Sequence, residues 1–132
     1  MLQRIAVVVD PGLSSGQVAG AAATVTGGLR CCGFTEPIPD RSGTKHAAIL
    51  WNLVVLSARS PLHLREVLLK AKASSVETVV FSFNGMQLSN SFSEYEDLVR
   101  RSISEDMKLA AIGIFGPDEI IRGLTKRCRL YG

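Results

Sequence analysis

Hydrophobic positions follow two rhythms that alternate along this chain. Arg4-Ile-Ala-Val-Val-Val9 is continuously apolar after its first residue, the pattern of a strand covered on both faces. Ile49-Leu-Trp-Asn-Leu-Val-Val-Leu56, Val76-Glu-Thr-Val-Val-Phe-Ser-Phe83 and Leu109-Ala-Ala-Ile-Gly-Ile-Phe115 predict three more strands. Between them the period lengthens. Leu64, Val67, Leu68 and Ala71 recur at helical spacing, and Ser60-Pro61 supplies an N-cap and a preset first residue, so a helix is expected over 61–73. An Ala- and Gly-rich helix is expected from about Ser14 to Leu29, stopping near Gly27-Gly28 or at Gly33. A further helix begins at Ser91 or Ser93 and carries Tyr95, Leu98 and Val99. The last opens at Gly116-Pro117, with Asp118 and Glu119 at its positive end and Lys126-Arg127 near its negative end. Residues 34–45 read as loop because Pro37, Pro39, Asp40 and Ser42-Gly43 are breakers, and Asn84-Gly85 reads as a turn.

Strands that alternate with helices of similar length predict a layered α/β fold. The expected architecture is three layers, α/β/α, with a mixed four-stranded sheet, in one domain spanning 1–132. Composition adjusts this picture only slightly. Apolar residues make up 46% and charged residues 20%, with mean hydropathy +0.21, which favours an apolar subunit contact. A homo-oligomer is therefore expected, most simply a two-fold dimer. Ala19-Gly-Ala-Ala-Ala23 would let the first helix approach another backbone closely, either the sheet or a neighbouring subunit.

The net charge of +3 is too small to argue for nucleic acid. The apolar runs stop well short of membrane-spanning length, and Met1-Leu-Gln-Arg enters a strand with no secretory pattern, so a cytoplasmic protein is expected. Cys31, Cys32 and Cys128 form neither a disulfide framework nor a zinc pattern, and reduced, half-buried thiols are expected. His46 and His63 lack the spacing of metal ligands. His63, in the first turn of its helix, is expected to face solvent, and no metal or cofactor is anticipated.

The segment Val7-Val-Val-Asp-Pro-Gly-Leu-Ser-Ser-Gly-Gln-Val-Ala-Gly-Ala-Ala-Ala23 holds the most distinctive chemistry. Its glycines do not fit the dinucleotide fingerprint, and Gln17 stands where a phosphate-binding loop needs lysine. Ser14-Ser15-Gly16-Gln17 fits a capping box, and Asp10 can accept N–H bonds from the turn after it. Ligands of open α/β sheets sit outside the carboxyl ends of strands. The candidate cleft is therefore Asp10, Ser14, Ser15 and Gln17, with the strand ends near Asn84 and Gly113.

Ile112-Gly-Ile-Phe-Gly-Pro117, followed by Ile121, Leu124-Thr125 and Leu130-Tyr131, resembles the closing motif of type II peptidyl-tRNA hydrolases. The opening strand, loop and Ala-rich helix resemble that family's start. Closer still is the resemblance to domain-of-unknown-function family 2000, in the Val-Val-Val-Asp-Pro opening, the Ala-rich helix and the Gly-Pro ending. The resemblance implies the hydrolase fold. In the hydrolases a lysine before the first helix, and a Gln and a His within it, serve the active site or substrate. Gln17, Ala21 and Thr24 stand at the matching places here, and Ser104-Glu-Asp-Met-Lys108 replaces the segment before the last strand. The expectation is a ligand-binding or non-catalytic relative that takes a small molecule. The alternatives are an ester hydrolase using Asp10 or a bound water, and a purely structural subunit.

Overall fold

The computed structural model of the chain describes residues 2–30, 33–88 and 90–132. Its elements are β1 (Gln3–Val9), α1 (Ser15–Gly28), β2 (Ile38–Pro39), β3 (Lys45–His46), β4 (Asn52–Ser57), α2 (Pro61–Ala73), β5 (Glu77–Ser82), α3 (Phe83–Gln87), α4 (Phe92–Arg100), β6 (Leu109–Pro117), α5 (Asp118–Thr125) and β7 (Arg129–Leu130), with one 3-10 turn at Ser104–Asp106. Five strands form one mixed sheet in the order β5-β6-β1-β4-β7, and β2 with β3 forms a separate two-stranded ladder.

The apolar run at the start occupies the centre of the sheet. β1 pairs parallel with β4, Val8 opposite Leu56, and antiparallel with β6, Val8 opposite Ile112. Its side chains alternate between two covered faces. Val7 and Val9 pack with Leu13, Val18, Ala21 and Val25 on the α1 side. Val8 packs with Leu64, Val67 and Leu68 of α2 on the other, and Ala6 packs beside it with Ile114 and Ile121. Burial on both faces is why the sequence shows no polar alternation here.

Four expectations about the elements need correction. The main sheet has five strands rather than four, because the tail folds back as β7 and pairs Leu130 with Leu56 and Arg129 with Ser57. The stretch read as loop contains β2 and β3, with Ile38 opposite His46 and Pro39 opposite Lys45. β4 begins at Asn52, not Ile49, because Ile49 bridges to Phe34 instead. Asn84-Gly85 lies within α3, where the Ser82 hydroxyl accepts the Gly85 N–H at 2.9 Å and starts a helical turn.

The helix at 61–73 forms with the expected bounds, and Ser60 Oγ accepts the His63 N–H at 3.0 Å as its cap. Arg4 is buried and donates from Nε to Asp118 Oδ1 at 2.8 Å, while Arg122 donates to Asp118 Oδ2 at 2.8 Å. The two guanidinium groups, Arg4 first, hold the Asp118 carboxyl below its ordinary range and fasten the first turn of α5 to β1. No helix among the described residues is long and apolar enough to cross a membrane.

Candidate functional site

The turn between β1 and α1 is built from local bonds. Asp10 caps the carboxyl end of the central strand, and its N–H donates to the Ala110 carbonyl at 2.8 Å. Its Oδ2 accepts the Gly12 N–H at 2.9 Å, which closes the turn. The capping box is present in both halves: Gln17 N–H donates to Ser14 Oγ at 3.3 Å, and Ser14 N–H donates to Gln17 Oε1 at 2.9 Å. Ser15 Oγ accepts the Tyr131 hydroxyl at 3.2 Å, tying the end of the chain to the first turn of α1. Most polar side-chain oxygens of this loop already have a protein partner. Asp10 Oδ1 is sealed and has no hydrogen-bond partner among the described residues. Asp10 as a whole is only 3% exposed, so this carboxylate faces packing rather than an open cleft.

The structure gathers Asp10, Ser14, Ser15 and Gln17 in one turn but does not bring Asn84 or Gly113 to them. Gly113 lies in the middle of β6, opposite Val7 and Val79. Three residues along the strands separate it from the level of Asp10, or roughly 10 Å at ~3.3 Å per residue. A Cβ on Gly113 would sit 3.2 Å from Val25, so this glycine lets α1 close down on the sheet. Asn84 is exposed on α3 and borders a different cavity, shared with Arg101 and Asp106.

The concave surface near the loop lies along the outer side of α1 instead. Two adjoining cavities of about 290 and 240 Å³ share Thr24 and Phe81. One wall is α1, through Gly16, Gln17, Gly20, Ala21 and Thr24. The other comes from Phe81 and Met86 and, farther along, Leu88, Phe92 and Tyr95. A Cβ on Gly16 or Gly20 would meet nothing within 4 Å, so these glycines face open space rather than a tight packing contact. Gly85 works in the opposite way. A Cβ there would come within 2.7 Å of Tyr95, which is held with its ring centroid 6.1 Å from Phe81 at 55°.

The chemistry of this groove is sparse. Thr24 Oγ1 donates to the Gly20 carbonyl at 2.8 Å and keeps its lone pairs free to accept. Gln17 uses Oε1 in the cap and keeps its amide N–H groups, and Tyr95 adds a hydroxyl. No carboxylate, imidazole, thiol or ammonium group is among the described lining residues. Gln17, Ala21 and Thr24, the three residues that the sequence resemblance singled out, fall together on one wall. That wall was not foreseen, because its partners Phe81 and Tyr95 are distant in sequence; the signal available was the i, i+4 spacing of Gly16, Gly20 and Thr24.

The histidines lie elsewhere. Contrary to expectation His63 is buried, at 7% exposure, on the α2 side of the sheet. Its Nδ1 accepts the Arg59 N–H at 3.0 Å, which places the ring proton on Nε2. Burial, then the charges of Arg127, Arg59 and Lys70, push its pKa below 6.5, against an opposing pull from Glu66. His46 is exposed and bonded through Nε2 to Asp40 at 2.8 Å within the β2–β3 turn. Cys128 is a half-buried free thiol whose pKa is raised by burial, whereas Cys31 and Cys32 lie outside the described residues. Among the described residues no cluster of His, Cys, Asp or Glu could hold a metal ion.

Comparison with known proteins gives a consistent, limited result. No curated protein matches. The solved structure of a protein of unknown function, Atu0240 from Agrobacterium tumefaciens strain C58, is similar with a TM-score of 0.81 at 16% identity. The match covers 100% of this chain and 99% of that one, and at this identity it speaks for the fold alone. The sequence itself matches the family described as "Protein of unknown function (DUF2000)" from residue 3 to residue 132, and the chain belongs to that family.

Proposed function

We propose that this protein is a non-catalytic ligand-binding relative of the type II peptidyl-tRNA hydrolases, taking a flat, mostly apolar small molecule in the groove between α1 and α4. The observation that carries the reading is the lining of that groove: open glycines on one wall, Phe81, Phe92 and Tyr95 on the other, and no carboxylate, imidazole, thiol or ammonium group among the described lining residues. A ring can lie against exposed helix backbone at Gly16 and Gly20 and meet aromatic edges on its far side. The Gln17 amide, the Thr24 oxygen and the Tyr95 hydroxyl give it orientation. The relation to the hydrolases is supported by the matching ends of the sequence and by the α/β layering. The catalytic alternative rests on Asp10, and the sealed position of Oδ1 speaks against water activation there.

Two measurements test this together. Purified protein should release no peptide from peptidyl-tRNA beyond the buffer rate, with a true type II hydrolase as control. Bicyclic aromatic fragments screened by saturation-transfer NMR should bind with dissociation constants of about 1 mM or below. Gly20→Leu, which fills open space, should weaken that binding by at least about tenfold without lowering the circular dichroism melting temperature. Turnover within tenfold of the hydrolase control, or fragment binding untouched by Gly20→Leu, would contradict the proposal.

A further inference from the structure

Residues 34–50 form a continuous antiparallel arm. Phe34 bridges Ile49, the Thr35 N–H donates to the Ala48 carbonyl at 3.2 Å, and the β2–β3 ladder leads to a turn in which Asp40 Oδ1 accepts the N–H groups of Ser42 and Thr44. Its base is fixed. Leu50 N–H donates to the Gly33 carbonyl, and Gly33 lies so close to the Trp51 ring that a side chain there would collide with it. Beyond the base, every residue from Phe34 to Leu50 except Ala48 is exposed. An isolated two-stranded ribbon is marginal in water, and this one also exposes Ile38 at 59% and Leu50 at 63%. Such an arm is suited to lie against another surface.

A complementary surface occurs at the end of the sheet from which the arm springs. Arg4 pairs with Asn52 in parallel register, so the chain entering β4 runs beside Leu2. On the other side of Leu2, Gln3 pairs with Pro117 and the Asp118 N–H donates to the Leu2 carbonyl. Leu2, Pro117, Glu119 and Ile120 line a cavity of about 460 Å³ there, with Leu2 63% exposed. The charges match as well. Arg41 and Lys45 near the arm tip have no ion-pair partner among the described residues, while Asp40 is occupied by His46 and the turn N–H groups. Glu119 at the groove is likewise unpaired among them, and Glu36 lies nearer the arm's base.

We infer that the arm of one protomer seats in the Leu2–Ile120 groove of a second copy of this chain, and that the exchange is reciprocal about a two-fold axis. Arm and groove rise from one end of one molecule, which is the arrangement an isologous contact needs. The arm reaches at most about 25 Å at ~3.4 Å per residue, enough to cross a neighbouring sheet end. Together arm and groove supply about as many residues per protomer as a standard interface, roughly 20–30. Ile38 fills the apolar groove, and Arg41 and Lys45 approach the partner copy's carboxylate rim.

Light scattering on the full chain at tens of micromolar should give twice the 14.2 kDa chain mass. Ile38→Asp should give 14.2 kDa with an unchanged circular dichroism spectrum. Lys45→Glu should weaken the dimer by about tenfold or more, and adding Glu119→Lys should recover most of that loss. If Ile38→Asp does not fold, the charge-reversal pair decides alone. A wild-type mass of 14.2 kDa, or a reversal that Glu119→Lys does not rescue, would overturn the inference. So would a dimer that survives Ile38→Asp, including one that only Gly20→Leu dissolves, which would move the contact to the face of α1.

Discussion

The two helical layers bury the same sheet by different means. On one side α2 inserts Leu64, Val67, Leu68 and Ala71, and Leu64 and Ala71 have no exposed surface. On the other, α1 buries only Val18, Ala21 and Val25 and sets Gly16, Gly20, Gly27 and Gly28 toward solvent or its edge. Glycine inside a helix costs about 0.5–1 kcal/mol relative to alanine. α1 carries that cost at positions where the fold does not require it, since Gly16, Gly20 and Gly27 meet nothing within 4 Å. The α2 layer is organised for stability, and the α1 layer gives up stability for open space beside the backbone. The proposed groove for a flat molecule would account for that trade at Gly16 and Gly20.

Substitutions can separate the two layers, beginning with the largest effect. Leu64→Ala on the sealed side should cost about 2–5 kcal/mol, seen as a lower denaturation midpoint at unchanged slope. On the α1 side the cost should depend on where a glycine points. Gly113→Ala should destabilise by about 1–3 kcal/mol, because the new methyl meets Val25 at 3.2 Å and Val79 at 3.3 Å. Ser14→Ala should cost about 0.5–2 kcal/mol, since it removes the acceptor of the Gln17 N–H; an unchanged midpoint would count against the cap. Gly20→Ala should do the reverse, raising stability by about 0.5–1 kcal/mol. If Gly20→Ala instead destabilised the fold, the idea that this glycine is kept for open space would fail.

The smallest effect distinguishes the layers by pH. His63 sits among α2 contacts, faced by Arg59, Lys70 and Arg127 with Glu66 opposing them, and its folded pKa is depressed chiefly by burial. The unfolded chain therefore takes up the proton first. Stability attributable to His63 is full above the ordinary value of 6.5 and falls as pH drops below it toward the lower folded pKa. The difference between wild-type and His63→Gln stability curves should show that slope. A flat difference curve would mean that His63 is open to solvent.

What could be read from the sequence divides along the range of the interactions. The capping box of Ser14 and Gln17 and the bounds of α2 were legible because each rests on residues within one helical turn of the other. The arm was not, because Pro37, Pro39 and Gly43 usually end structure. Here Pro39 sits at an edge ladder, and Asp40 ties the turn through its own carboxylate. Gly113 was expected at a strand end, where ligands of α/β sheets sit, but it lies in the middle of β6, and its missing side chain admits Val25 of α1 rather than a ligand. His63 was misplaced because being in a first turn says nothing about what packs on it, and the Arg59 N–H donates to its ring nitrogen. The spacing of Gly16, Gly20 and Thr24 marks one wall of the groove, but the groove itself could not be read, since Thr24, Phe81 and Tyr95 meet only after the sheet forms.

The central claim, a ligand groove on the glycine face of α1, is most directly tested by amide chemical-shift mapping with a bicyclic aromatic fragment. The account predicts that saturable shifts concentrate at Gly16, Gly20 and Thr24 of α1 and at Phe92 and Tyr95 of α4. Shifts centred on the Asp10–Ser14 turn or around His63, or none at millimolar fragment, would contradict it.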